Sequence, residues 1–137
     1  MNWTLEVIQI PVSDVDSAIA FYRDQVGFIL DFAMGEGEGR LAQLTPPGSG
    51  CSIQVSRQQS GSAPGTVHGM QLVVSDLRAA RRELIGRGVD ASPIMFFGMD
   101  GVQRTATDDD DLNNSGFVSF TDPDGARWAV QQITDRP

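Results

Sequence analysis

The chain has 137 residues, of which 40% are hydrophobic and 20% charged, enough for one globular core and too few for two independent ones. Eighteen acidic against ten basic side chains give a net charge of −8. Such a surface repels phosphate backbones and anionic lipid, which excludes nucleic acid and membrane as expected partners. No apolar run approaches the ~18–20 residues of a membrane span, and MNWTLEVIQIPVSD lacks the basic and apolar regions of a signal peptide. The lone Cys51 has no internal disulfide partner, which fits a reducing cytoplasm, the expected location.

WTLEVIQIPV (3–12) alternates and is β-branched, so it predicts a strand. Ser13 or Asp14 then caps a helix running to about Gln25, with Ala18, Ile19, Phe21 and Tyr22 apolar, and Gly27 ends it. FILDFAM (28–34) predicts a second strand and GEGEG (35–39) a turn. RLAQLTPP and CSIQVS form a hairpin around Pro-Pro-Gly-Ser-Gly. The polar stretch 57–66 reads as a linker. A strand at 68–74 follows, then a helix from Ser75 or Asp76 to about Arg87 with Gly88 as its cap, and a strand near 91–97. Residues 98–115 are expected as a long acidic loop before a closing hairpin, SGFVSFTD and ARWAVQQIT, around Asp-Pro-Asp-Gly.

The chain repeats itself. IPVSDVDSA (10–18) lines up on LVVSDLRAA (72–80) at an offset of 62, and LTPPGSGCSIQV (44–55) on FTDPDGARWAVQ (120–131) at an offset of 76. The two offsets place an insertion around residues 96–115 of the second half. The expected fold class is α+β: a single domain, 1–137, of two βαβββ modules at 3–56 and 67–134 joined by the linker.

IPVSDVDSAIAFYRDQVGF looks like the opening of a glyoxalase-type module, and FTDPDGARWAV looks like its close. Together they resemble the vicinal-oxygen-chelate superfamily (glyoxalase, bleomycin resistance protein, dioxygenase) over residues 3–134. The resemblance implies two modules side by side, each curving a mixed sheet into half of a cup around a ligand cavity; a homodimer is expected from it, since such cups are often completed between chains, although two modules in one chain also suffice for a cup. In metal-binding members, His, Glu or Gln ligands project from the first and last strands of each module, open to a substrate that chelates through two adjacent oxygens. The first-strand position, seven before the capping Asp, is Val7 in one module and Gly69 in the other. The last-strand position, four after the Gly of Asp-Pro-Asp-Gly, is Ala129, and its repeat partner is Ile53. None of these side chains offers a lone pair, so no metal and no cofactor are expected. His68 stands one residue before the expected position, on the opposite face of a strand. Asp108–Asp111 lack the spacing of a calcium loop and read as solvated surface.

Strand parity then assigns the cup face: Trp3, Leu5, Val7 and Gln9; Cys51, Ile53 and Val55; Gln71 and Val73; Arg127, Ala129 and Gln131. Ile8, Ile10, Met70, Leu72, Trp128 and Val130 face the helices. Gln9 and Gln71 are repeat-related amides, and Arg127 suits a carboxylate or polarised carbonyl. MFFGMDG (95–101) suits an adaptable apolar lid, a dimer contact or ordinary core. The candidate ligand-binding residues are Trp3, Gln9, Gln71, Phe96, Phe97, Arg127 and Gln131. The expected function is metal-independent binding of a small aromatic or apolar organic molecule, as in drug sequestration. The alternatives are a metal-dependent lyase, isomerase or dioxygenase, and a metal-free acid–base enzyme, for which this cup-face set carries no Asp, Glu or His and Glu6 or a loop acid would have to enter.

Overall fold

The structure, a computed structural model, describes residues 1–57 and 62–135. The expected linker at 57–66 therefore falls in part, at residues 58–61, outside the described residues. Two compact units are present: Met1–Val67 with Asp122–Ala126, and His68–Thr121 with Arg127–Pro137.

In the first unit β1 (Val7–Pro11), β2 (Ile29–Met34), β3 (Leu41–Thr45) and β4 (Ser52–Ser56) form a sheet of order β1-β4-β3-β2. β1 runs parallel to β4, and the other pairs are antiparallel. The helix starts where the Asp14 carboxylate accepts the Ser17 amide at 3.0 Å, so Asp14 and not Ser13 is its cap. It runs as α1 (Val15–Ile19) and continues as a π-helix over Ala20–Val26, ending at Gly27 with φ 95°. Ser13 instead binds Asp124 through its amide at 3.0 Å and its hydroxyl at 2.6 Å. The core of this unit is Ile10, Ala42, Leu44, Ile53 and Val55 on one sheet face, with Ala18, Ile19 and Tyr22 from the helix. The hydroxyl of the buried Tyr22 donates to the buried Asp122 carboxylate at 2.8 Å.

Here the first strand is shorter than the pattern 3–12 predicts. Val7 pairs with Ser52, and the Ser52 amide donates to the Glu6 carbonyl at 2.9 Å. Before Ser52 the partner strand has already turned away, so residues 1–6 have no ladder to join, and Trp3 is left 88% exposed.

In the second unit β5 (Met70–Val74), β6 (Met95–Phe97), β7 (Gln103–Thr105), β8 (Gly116–Thr121) and β9 (Arg127–Gln132) form a sheet of order β5-β9-β8-β6-β7. β5 is parallel to β9, repeating the β1–β4 pairing. Asp76 caps α2 (Leu77–Gly86) by accepting the Ala79 amide at 3.0 Å, and the chain leaves the helix through Gly88 in the left-handed region. Met70, Val118, Phe120, Trp128 and Val130 are buried on the same side as Leu77 and Leu84 of the helix, and the Phe120 and Trp128 rings stack at 6.1 Å.

Two expectations for this half are corrected. The strand near 91–97 forms only over Met95–Phe97, because Pro93 has no N–H to give to a ladder. The stretch 98–115 is not one loop: β6 and β7 make a hairpin around Asp100-Gly101, where the Asp100 carboxylate accepts the Val102 amide at 2.9 Å. The two open sheets, of four and five strands with few helices, give a mixed α+β architecture.

Candidate functional site: the open sheet faces

Each sheet buries one face under helix and leaves side chains exposed on the other. On the first sheet the register decides which residues those are. Gln9 is the partner of Gln54, and Gln54 is the partner of Gln43, so three glutamines stand in a row across β1, β4 and β3. Adjacent strands lie about 4.8 Å apart, close enough for neighbouring amides to bond. The Gln54 Nε2 donates to Gln43 Oε1 at 3.0 Å, and Gln43 Nε2 donates to Asp31 Oδ2 at 3.2 Å. Asp31 is the extra residue of a β-bulge between Leu30 and Phe32, which turns its carboxylate toward this row. The Thr45 hydroxyl also bonds Asp31, and it lies 2.6 Å from the Ser52 hydroxyl.

This register overturns one assignment. Ile53 and Val55 are not on the open face; they are 3% and 0% exposed and pair with Ile8 and Ile10 on the core side. The turn Pro46–Cys51 is one residue longer than the turn Asp122–Ala126, so the ungapped repeat slips by one beyond it. Gln71 pairs with Ala129 in the second sheet just as Gln9 pairs with Gln54 in the first. Gln54 therefore takes the last-strand position that the repeat assigned to Ile53. The alternation of ILDFAM carries no sign of the bulge that brings Asp31 beside Gln43 on this face. The expectation that no Asp, Glu or His stands on this face is corrected by Asp31.

The open face of the second sheet carries Gln71 and Val73 on β5, Arg127, Ala129 and Gln131 on β9, Phe117 and Ser119 on β8, and Phe97 on β6. Gln71 Nε2 donates to Gln131 Oε1 at 2.5 Å, and Gln131 Nε2 donates to the Asn114 carbonyl at 3.0 Å. Beside them Phe97, 42% exposed, meets Phe117 edge to face at 5.3 Å. Arg127 stands four residues along β9 from Gln131, about 13 Å away at the rise of a strand. Among the described residues its guanidinium has neither a hydrogen-bond nor an ion-pair partner. It borders a cleft of about 120 Å³ with Gly69, Gln71, Ser119 and Ala129.

Of the sequence candidates, Gln71, Phe97, Arg127 and Gln131 thus share one face of the second sheet. Gln9 lies on the open face of the first sheet. Trp3 precedes β1 and belongs to no strand. Phe96 points the other way, since neighbouring strand residues face opposite sides. It pairs with Gly116, and the Arg104 guanidinium lies 4.6 Å from its ring centre. Arg104 is held there by two bonds of 2.8 Å to Asp110, whose carboxyl is pulled well below the usual carboxylate range by Arg104 and then by the Thr107 amide.

A divalent metal does not fit the donor set. Val7, Gly69 and Ala129 have no donor atom, and Gln54 brings a single amide already turned toward Gln43. Gly69 moreover has φ +85°, a left-handed backbone that a ligand-bearing side chain would strain. Among the described residues no group of three or more His, Cys, Asp or Glu side chains gathers in a metal-binding arrangement, and no helix is long and apolar enough to cross a membrane.

Comparison with known proteins supplies the lineage of this architecture. No curated protein matches the chain. Among solved structures, TnmS3, an antibiotic binding protein from Streptomyces sp. CB03234, is 25% identical over 97% of this chain and 98% of its own, with a TM-score of 0.75. A glyoxalase/bleomycin resistance protein from Streptomyces sp. CB03234 is 26% identical over 94% of this chain and 100% of its own, with a TM-score of 0.72. A member of the same superfamily from Sphaerobacter thermophilus DSM 20745 shares the fold at 23% identity over 96% of this chain and 98% of its own, with a TM-score of 0.71. The family model for the Glyoxalase/Bleomycin resistance protein/Dioxygenase superfamily matches residues 4–130, and the chain belongs to that superfamily.

Proposed function

We propose that this protein binds a small aromatic or apolar organic molecule without a metal, and that it acts by sequestering that molecule, as an antibiotic-resistance protein would. The observation that carries this reading is the open face of the second sheet, where the Phe97–Phe117 corner adjoins the bonded amides of Gln71 and Gln131. Aromatic rings give a flat ligand contact area and edge-to-face partners, and fixed amides orient it. Arg127, without a partner, offers a further charged contact at the other end of β9. The likeness to an antibiotic binding protein along almost the whole chain supports the same reading.

A metal-free acid–base enzyme is the second reading, and Asp31 on the open face of the first sheet favours it. Its Oδ2 is occupied by Gln43 and Thr45, which makes it an acceptor that orders neighbours more than a base.

Isothermal titration with a panel of flat polycyclic antibiotics tests the binding reading. At least one is expected to bind with a dissociation constant in the micromolar range or below. Phe97→Ala is expected to weaken that binding by roughly tenfold, the worth of a stacked ring. A panel without any binder, or a Phe97→Ala variant that binds as the parent does, would overturn the reading.

A further inference from the structure

The two open faces end in the same chemical group, although their residues differ. On the first sheet the bonded series begins at Asp31. A carboxylate only accepts, so the Gln43 amide must present its Nε2 to Asp31, and its Oε1 is then the atom that faces Gln54. Gln54 must in turn donate through Nε2, at 3.0 Å. On the second sheet the series begins at the Asn114 carbonyl, which also only accepts. Gln131 donates to it through Nε2 at 3.0 Å, its Oε1 accepts the Gln71 Nε2, and the order of atoms is again forced. An isolated glutamine can flip and show either end of its amide. Here a flip of Gln54 or Gln71 would set oxygen against oxygen. Among the described residues neither Gln54 Oε1 nor Gln71 Oε1 has a hydrogen-bond partner.

We infer that each face by itself is built to accept a hydrogen bond, the first through Gln54 Oε1 and the second through Gln71 Oε1, and that a ligand of either face is an aromatic molecule carrying donors, hydroxyl or amine groups, and not one whose polar groups only accept. This rests on the binding proposed above and names the ligand class for it. Asp31 and Gln131 are positioning residues: each fixes the orientation of the amide beyond it. A ligand that only accepts would take water away from the Oε1 atom it covers and leave that atom unsatisfied.

The probes are a naphthalenediol, the diamine and the difluoride of the same substitution pattern, and the corresponding dicarboxylate, titrated into the intact chain. Fluorine is near hydroxyl in size and does not donate. The diol and the diamine are expected to bind roughly tenfold more tightly than the difluoride, the ratio for one net hydrogen bond. Gln71→Leu removes one acceptor, and Asp31→Asn supplies an amide that can donate to Gln43 and so releases Gln54 to turn. At least one of the two is expected to reduce the diol-to-difluoride ratio by roughly threefold or more. Equal affinity for diol and difluoride, tighter binding of the dicarboxylate, or an unchanged ratio in both variants would overturn the inference while binding itself stands. If none of the four naphthalenes binds while a polycyclic antibiotic does, the inference falls alone; if no antibiotic binds either, the binding reading falls with it.

Discussion

Tyr22 is wholly buried, and its hydroxyl bonds an Asp122 carboxylate that also accepts the amides of Asp124 and Ala126 at 3.0 and 2.8 Å. Tyr22→Phe keeps the ring contacts with Phe21 and Phe28 and deletes one donor to a buried acceptor. A loss of about 1–3 kcal/mol in urea unfolding is expected, with the fold retained. Gly116 is constrained by space: a Cβ there would lie 2.8 Å from Leu112 Cβ and 3.1 Å from Leu77 Cδ2. Gly116→Ala is expected to cost about 1–3 kcal/mol by the same measurement, since the helix and the 112 turn must shift to admit a methyl group. Neither constraint was legible in the sequence, where Tyr22 is one apolar helix position and Gly116 an unremarkable strand start. The same limit hid Gln54. A turn longer by a single residue reverses every side chain beyond it, and composition does not show that length difference.

Among the elements, the β6–β7 hairpin depends most visibly on charge. Arg104 joins Asp110 to the strand pair, and this holds the Asp110 carboxyl below its ordinary value. A carboxyl depressed in the folded state contributes stability above its unfolded value, about 4, and loses that contribution as pH falls toward the folded value. Protection of the Gln103–Thr105 amides, measured relative to their intrinsic exchange rates, is accordingly expected to fall only in strong acid in the parent. In Arg104→Met, the carbon-detected titration of Asp110 should move up toward about 4. An Asp110 titration unaffected by the substitution would separate the hairpin from this pair. Helix limits set by local capping can be read from sequence, and strand limits set by a distant partner cannot. Asp14 and Asp76 cap where a polar residue precedes an apolar periodicity, whereas β1 stops short of Trp3 for want of a partner strand.

Over the whole chain, the net charge of −8 sets a background of self-repulsion that salt screens. The midpoint of thermal unfolding is expected to rise between low salt and about 0.3 M sodium chloride, and a fall would show that attractive pairs outweigh the repulsion. Light scattering that returns twice the chain mass would support the homodimer implied by the family resemblance, and a single chain mass would refute it. From sequence alone came the family, the α+β class, the repeat with its insertion in the second half, the helix starts at Ser13 or Asp14 and at Ser75 or Asp76, and the lack of donors at Val7, Gly69 and Ala129. All of these follow from local periodicity and residue type, which act over a few positions. Only the tertiary structure decided that Gln54 replaces Ile53 on the open face, that a bulge brings Asp31 beside Gln43, and that Phe97 and not Phe96 joins the open face. Those outcomes depend on strand register, which hydrogen bonds between distant segments set jointly.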